Sequence, residues 1–184
     1  MSRTFRSRKL GLSIRYPPDW GVAEVYDGPV EWHDAIPNQE YIICRFALPL
    51  DRRNDNYADY VDLTIVKVPP GTTLEGWRDA RLRHMEGLLG VHRSHRIEVA
   101  TSFLGALPAS EIAIQYENPL HSCQELMLFG LEGEALFVLH FRAFLEYGSP
   151  LTQRNLRAWY RMAGTFRTTF TVGLDGGNAE AVPD

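Results

Sequence analysis

The sequence predicts an α+β fold with an antiparallel sheet, and three patterns support this prediction. Four strand patterns follow one another in the second half of the chain, at 96–104, 109–117, 122–130 and 134–144. The breaks between them are short, and short connections join antiparallel neighbours. The last of the four is apolar on both faces, which is typical of a central strand that is covered on two sides. Two amphipathic helix patterns lie before and after these strands in the chain.

The first strand ends at a sharp stop in the stretch GLSIRYPPDW, residues 11–20. Apolar and polar residues alternate over 12–16, as they do in a strand whose two faces differ. Pro17 and Pro18 lack the N–H groups that a continuing ladder requires, so the strand ends there. We expect Trp20 to fold back and cover the edge of the sheet.

Residues 22–40 show neither strand nor helix periodicity and predict a long connection. Two further strands follow, at 40–48 and 60–68, with a polar loop at 51–59 between them. Because side chains alternate across a strand, the inner face of the first of these two strands is expected to carry four residues. They are Ile42, Cys44, Phe46 and Leu48.

Both helix patterns contain residues that are typical of the start or the end of a helix. Thr72 and Glu75 have the spacing of a capping box at the start of the first helix. Gly90 is placed to end that helix. Ser149 followed by Pro150 predicts the start of the second helix, with a capping residue ahead of a proline in the first helical position.

Length, charge and hydropathy indicate a single globular domain of 184 residues. We expect this domain to span 1–172 and the C-terminal tail, 173–184, to be disordered. The net charge of −4 provides no basic field for nucleic acid or for anionic lipid. No apolar run follows the basic N-terminus or is long enough to cross a membrane, so we expect a cytoplasmic protein without membrane insertion. Cys44 and Cys123 are then expected to be reduced core thiols.

Five motifs, taken in order, resemble the PsbP-like family, which comprises the extrinsic photosystem II proteins and their bacterial relatives. The motifs are GLSIRYPPDW, GTTLEGW, FLGALPASEIAIQY, EALFVLHFRAFLEY and MAGTFR, and the resemblance runs from about residue 10 to 168. The resemblance implies a bacterial protein with an α/β/α sandwich, in which a central antiparallel sheet lies between helices. A nuclear Ran-binding release factor and the Eag chaperones of type VI secretion share this fold. Function must therefore be argued from sites.

The sequence offers little catalytic chemistry. It lacks the G-x-S-x-G nucleophile elbow, the phosphate-binding and dinucleotide-binding glycine motifs and H-E-x-x-H, so we expect a non-catalytic protein without a cofactor. His84, His92 and His95 lie around the end of the first helix, and a hydrolase or metalloenzyme that uses them is one alternative. Surface histidines near a helix C-terminus are the simpler interpretation. His140 lies on the central strand, and we expect it to be a hydrogen-bonded core histidine rather than a base.

The connection at 22–40 is the predicted partner-binding segment, because long loops in compact domains are commonly functional. It offers Tyr26 and Trp32 as rigid aromatic anchors, with Glu31 and Asp34 among the acids of its rim. This composition favours a basic protein partner. A plug for the edge of the core is the alternative for Trp32. An Eag-like cytoplasmic chaperone for a secretion effector is the alternative function, and formation of a homo-oligomer stays open.

Overall fold

The computed structural model describes residues 2–48, 59–89, 95–117, 122–143 and 150–169. The predicted tail at 173–184 lies outside these residues. The described strands are β1 Arg3–Ser7, β2 Leu12–Tyr16, β3 Gly21–Glu24, β4 Glu40–Ala47, β5 Tyr60–Lys67, β6 His95–Leu104, β7 Leu107–Glu117, β8 Ser122–Glu132, β9 Ala135–Ala143 and β10 Arg167–Thr168. The helices are α1 Leu74–Leu89, α2 Pro150–Ala163 and a single 3₁₀ turn, Trp32–Asp34.

Seven strands form one antiparallel sheet in the order β3-β4-β5-β9-β8-β7-β6. The predicted meander is confirmed, since β6, β7, β8 and β9 pair in succession. Helix α1 connects β5 to β6 at the far edge, and the meander then returns across the sheet until β9 pairs with β5. This topology places β9 in the middle of the sheet, as its two apolar faces predicted.

Two cores lie on opposite faces of the seven-stranded sheet. One lies beneath α1 and contains Val66, Met127, Phe129 and Val138. The larger core lies between the sheet and a layer made of α2 and a second sheet of order β1-β2-β10. The α+β class and the α/β/α sandwich are therefore confirmed, with the small sheet sharing one helical layer. None of the described helices is long and apolar enough to cross a membrane.

The stretch GLSIRYPPDW forms a strand and the turn that ends it, as predicted. This strand is the second in the chain and not the first, because β1 precedes it and pairs with it. Leu12, Ile14 and Tyr16 are buried on one face. The turn is closed by a hydrogen bond from the Trp20 N–H to the Pro17 carbonyl, at 3.2 Å. The Trp20 side chain is only 2% exposed and belongs to the larger core.

The predicted inner face of β4 is wrong at its first position. Tyr41 and Ile43 are buried there and Ile42 is not, whereas Cys44 and Phe46 are buried as expected. A β-bulge is responsible, because the register with β5 shifts between Ile42 and Cys44. The extra residue reverses the alternation on one side of the bulge, so strict period-two counting fails there.

The predicted capping box of α1 is also wrong, by one residue. The Thr73 hydroxyl oxygen accepts the Gly76 N–H at 3.1 Å, so Thr73 is the capping residue. The Thr72 hydroxyl instead donates to the Pro69 carbonyl in the preceding turn, at 2.7 Å. The residues predicted to end α1 and to cap α2, Gly90 and Ser149, lie outside the described part of the chain.

Both cysteines are buried and neither forms a disulfide, as predicted. Burial raises the pKa of the Cys44 thiol, and the neighbouring carboxylates of Asp62 and Glu24 raise it further. Burial also raises the pKa of Cys123. Both side chains are therefore thiols at neutral pH rather than thiolate nucleophiles.

Replacing the buried indole with Trp20→Ala is expected to lower the free energy of unfolding by about 3–5 kcal/mol, since it removes a large core side chain. Phe103→Ala is the matched control, because the Phe103 ring is 65% exposed. The control is expected to cost roughly 0.5 kcal/mol or less. Urea denaturation measures both values. Equal values for the two variants would show that Trp20 does not close the core.

Gly105→Ala is expected to cost about 3–5 kcal/mol, because Gly105 has a φ of +63° and an added Cβ would lie 1.9 Å from the Phe166 carbonyl oxygen. Gly71→Ala is the control. Gly71 has a φ of +79° and open space around the added Cβ. Its substitution is therefore expected to lower the free energy of unfolding only through the backbone conformation, by about 1 kcal/mol. The same denaturation experiment compares them. A cost for Gly105→Ala no larger than that of Gly71→Ala would contradict the close approach.

Candidate functional site

The predicted partner-binding segment lies along one edge of the seven-stranded sheet. The sequence predicted a connection without regular structure, and this prediction is wrong in part. The first residues form the edge strand β3, and residues 32–34 form a 3₁₀ turn. All four residues of β3 are exposed, so the sequence shows no alternation of buried and exposed positions there. The strand forms because it pairs with β4. Below, residues 21–40 are called the edge segment.

The two aromatic residues of the edge segment point towards the fold. Tyr26 and Trp32 are partly buried and pack against the larger core. The Tyr26 hydroxyl donates to the Pro29 carbonyl at 3.1 Å, and Lys9 Nζ lies 4.5 Å from the centre of its ring. The packing of Trp32 against this core favours its interpretation as a plug. Glu31 and Asp34 are exposed, and a binding role for the four residues stays a prediction.

Hydrogen bonds hold the edge segment against the sheet. They run from the Ile42 N–H to Asp27 Oδ1 (3.0 Å), from the Ile36 N–H to the Tyr41 hydroxyl (2.9 Å), from Lys67 Nζ to the His33 carbonyl (2.8 Å) and from the Asn38 N–H to the Lys67 carbonyl (2.7 Å). All four groups that these bonds reach in the sheet belong to Tyr41, Ile42 and Lys67. The segment is therefore anchored along its length and presents its outer side chains in a defined arrangement.

Four of the exposed side chains of the edge segment are large and apolar. Val22, Val25, Ile36 and Val30 are 39%, 45%, 59% and 79% exposed. In the described part of the chain these four residues make up half of the large apolar side chains that are exposed, the others being Leu88, Val99, Phe103 and Tyr160. Single exposed apolar residues are ordinary on a protein surface, whereas a contiguous apolar patch marks an interaction site, so the four residues make the edge segment a candidate.

A second candidate is a charged network on the face of the sheet that α1 covers. Its side chains form two adjacent cross-strand rows on β4, β5, β9 and β8. One row is Arg45, Asp62 and His140, and the other is Tyr60, Arg142 and Glu125. Because the strands are in register, these side chains lie next to one another although they come from distant parts of the chain.

Glu125 is the centre of this network, and both of its carboxylate oxygens are occupied. Oε1 accepts the Tyr116 hydroxyl at 3.0 Å, and Oε2 lies 3.0 Å from His140 Nε2, which must carry the proton because a carboxylate only accepts. The Arg142 guanidinium lies 3.0 Å from Oε1 and 3.3 Å from Oε2. Burial raises the pKa of the Glu125 carboxyl, but His140 and Arg142 outweigh it and lower the pKa to about 2. The expectation that His140 is hydrogen-bonded is confirmed.

The network continues through two guanidinium groups that lie against the Tyr60 ring. Arg45 forms a two-point pair with Asp62, at 2.7 and 2.8 Å, and this hydrogen bonding raises the pKa of Arg45. The Arg45 guanidinium also lies 4.5 Å from the centre of the Tyr60 ring. Arg142 donates to the Tyr60 hydroxyl at 2.7 Å. Two cations thus share one aromatic ring, while each is neutralised by its own carboxylate.

A cavity of about 190 Å³ lies between this network and the C-terminal half of α1. It is lined by Arg81, His84, Met85, Leu88, Tyr116, Glu125 and Arg142. The cavity is smaller than the usual site for a drug-sized ligand. Arg81 is itself paired with Glu40 at 3.1 Å, so the two guanidinium groups on the cavity wall are both neutralised.

The chemistry of the network is structural. A general acid or base needs a pKa near the working pH and a free position towards its substrate. Glu125 has neither, since its pKa is about 2 and both oxygens are engaged. The arrangement therefore fixes the four neighbouring strands β4, β5, β9 and β8 relative to one another instead of moving a proton.

The three histidines of the metal alternative are not all within the described structure. His84 is exposed on α1 and lines the 190 Å³ cavity. His92 lies outside the described residues, as does the side chain of His95. Within the described ranges, no group of three or more His, Cys, Asp or Glu side chains could hold a metal ion. A site that uses these three residues together stays a prediction.

The charged network was missed by sequence reasoning, although a signal was present. Asp62, Glu125 and Arg142 are ionisable residues inside otherwise apolar strand patterns. Charged side chains in such positions are rarely buried without partners. Pairing Asp62 with Arg45, or Glu125 with His140, required the strand order and register, which local patterns do not contain.

The architecture and the site define a PsbP-like α+β sandwich, and solved structures share this fold. Cyanobacterial PsbP from Synechocystis sp. PCC 6803 matches with a TM-score of 0.59 and 13% identity, over 91% of this chain and 92% of that protein. LpqN of Mycobacterium tuberculosis, described as involved in cell envelope biogenesis, matches with a TM-score of 0.52 and 14% identity, over 90% and 89%. PA94 of Pseudomonas aeruginosa, a protein of unknown function described as a putative regulator, matches with a TM-score of 0.51 and 10% identity, over 89% and 94%.

These likenesses establish the fold alone, because all three identities are very low. No protein-family model matches the sequence, and no curated protein sequence matches it significantly. The resemblance predicted from the five motifs is therefore confirmed at the level of the fold.

The stability of the wild-type protein is expected to fall by about 3 kcal/mol more than that of Glu125→Gln between pH 4.5 and pH 2. The folded-state pKa is depressed, from 4.5 to about 2, so the unfolded chain binds the proton first as the pH falls. The contribution is complete above pH 4.5 and is lost on approaching pH 2. Urea denaturation at several pH values measures it.

The matched control is Glu86→Gln, which changes an exposed carboxyl group on α1. It is expected to retain the wild-type pH dependence over the same interval. Parallel curves for the wild type and Glu125→Gln would mean that Glu125 is not held as a carboxylate by His140 and Arg142.

Proposed function

We propose that this chain is a non-catalytic protein-binding module that binds its partner through the edge segment. The observation that carries the proposal is the concentration of exposed apolar side chains there, at Val22, Val25, Val30 and Ile36. Apolar residues within a polar rim are the usual composition of a protein-binding patch. The hydrogen bonds that anchor the segment reduce the entropy lost on binding, since the surface is already ordered.

The rim of this surface is acidic. Glu24, Glu31 and Asp34 are exposed, and Asp34 Oδ1 lies 3.2 Å from Nε2 of the neighbouring His33. Acidic rim groups accelerate the approach of a basic partner and disfavour acidic ones. We therefore expect a partner segment that combines apolar residues with Lys or Arg.

The geometry of β3 indicates how such a segment binds. β3 is the last strand of its sheet in the described structure, and β4 pairs with only one of its sides. An extended peptide that pairs with the other side would add a strand, gaining main-chain hydrogen bonds while its alternate side chains meet the apolar residues. This mode of binding requires no catalytic group, in agreement with the saturated Glu125 network.

A second candidate is an Eag-like chaperone that holds apolar segments of a type VI secretion effector. The same four exposed apolar residues favour it, since a chaperone needs an apolar surface that is free in the absence of its client. The two candidates differ in salt dependence, because the acidic rim contributes only to binding of a basic partner. A cytoplasmic location belongs to both candidates and stays a prediction.

The test is a double substitution, Val30→Asp with Ile36→Asp, and Phe103→Asp is the matched control on the opposite edge of the sheet. Because all three side chains are more than half exposed, the melting temperature is expected to change by only about 2 °C or less in either protein. The edge variant is expected to capture at most about one tenth of the partner that the wild type captures, because substitutions at hot-spot residues have effects of this size. Quantitative pull-down from the native lysate, with thermal melts alongside, measures both.

Retention of the partner by the edge variant would overturn the assignment of the edge segment. Loss of the partner in both variants would also overturn it, because the effect would then not be local. Capture that is insensitive to salt and enriched in secreted effectors would favour the chaperone. Trp32→Ala, run in parallel, is expected to lower the melting temperature, since the ring contacts the core.

A further inference from the structure

The outer face of the small sheet carries a concentration of positive charge. Arg6 on β1, Ser13 on β2 and Arg167 on β10 form one cross-strand row. Thr4 and Arg15 form the adjacent row. All three arginines line one concavity of about 230 Å³, together with the hydroxyl groups of Thr4, Ser13 and Thr165.

A second concavity, of about 320 Å³, adjoins the first and shares Arg15 and Thr165 with it. It lies between the end of β2 and the C-terminal half of α2, and Arg161 adds a fourth guanidinium group. The rest of its lining is mainly apolar and comprises Ser2, Tyr16, Pro17, Pro18, Ala158 and Met162. An apolar pocket is thus joined to a cluster of arginines and hydroxyl groups.

These four arginines differ from most others in the described residues. Arg45, Arg78, Arg81, Arg96, Arg142 and Arg154 each pair with a carboxylate. No carboxylate lines either concavity, and no ion pair joins Arg6, Arg15, Arg161 or Arg167 to one within the described ranges. Neighbouring like charges on a sheet destabilise it, so this face gains stability when an anion binds.

Thr165 fixes the backbone at Arg15, between the two concavities. The Thr165 hydroxyl oxygen accepts the backbone N–H of Arg15 at 2.9 Å and lies 2.8 Å from the Met162 carbonyl, to which it donates. Arg167 is fixed as well, since its guanidinium donates to the Phe166 carbonyl at 2.7 Å. The Arg167 guanidinium is therefore preorganised and loses little freedom when it binds an oxyanion. The planar donor geometry of all the guanidinium groups suits phosphate and carboxylate groups.

We propose that this face is a binding site for an anionic amphiphile, with a phosphate or carboxylate head between Arg6, Arg15 and Arg167 and an apolar body in the 320 Å³ concavity. This volume lies in the range of small-molecule sites. The site is separate from the edge segment, so it neither requires nor excludes the proposed protein partner. The head group is supplied either by a free amphiphile or by a membrane lipid, and the experiment separates these two sources.

Isothermal titration with octyl phosphate, below its critical micelle concentration, is the test. Saturable binding at one site is expected, together with an affinity that rises by about fourfold per methylene between hexyl and octyl phosphate, because each buried methylene contributes about 0.8 kcal/mol. Inorganic phosphate is expected to bind much more weakly, and octyl glucoside not to bind. Arg15→Gln is expected to lose at least about tenfold in affinity for octyl phosphate.

Arg83→Gln is the matched control, since Arg83 is an exposed arginine on α1 and lines neither concavity. Undiminished binding by Arg15→Gln, or an affinity independent of chain length, would overturn the site. Competition of phosphatidylglycerol vesicles with octyl phosphate at Arg15 identifies the membrane as the source, and binding of octyl phosphate without vesicle binding identifies a free amphiphile. Vesicle binding without octyl phosphate binding would overturn the pocket. Arg15-dependent binding of a short oligonucleotide that is tighter than the binding of octyl phosphate would also overturn the pocket.

Discussion

The burial of β9 on both faces is the constraint on which the rest of the structure depends. Leu136 and Val138 face the core beneath α1, while Phe137, Leu139 and Phe141 face the larger core. β9 pairs with β5 on one side and with β8 on the other, so it joins the two halves of the chain into one sheet. A strand in this position requires a covering layer on each side, and α1, α2 and the small sheet supply them.

The same strand carries the charged network, and its position explains why the network is held so firmly. Beyond the apolar core, His140 and Arg142 continue along the α1 face of β9 towards the end of the sheet. There they meet Asp62 and Glu125 from the two neighbouring strands. Paired charges at the end of a strand keep the register of three strands fixed where apolar contacts end, because a one-residue slip would leave each charge without its partner.

Net charge conceals the distribution of charge in this molecule. A value of −4 argues against a basic surface when the chain is taken as a whole. In the fold, exposed acids lie on the edge segment, while Arg6, Arg15, Arg161 and Arg167 collect on the small sheet and α2. The two surfaces therefore differ in the sign of their charge, which the net charge of the whole chain does not show.

Local order was determined by the sequence itself. Alternation over 12–16, the proline stop after it and the short breaks of the meander depend on neighbouring residues, so strand positions and fold class were predictable. The bulge at Ile42, the edge strand β3 and the two-residue strand β10 were decided by tertiary pairing. The arginine site was decided in the same way, since Thr165 meets Arg15 across 150 residues. Such contacts depend on strand order and register, which no short stretch of sequence contains.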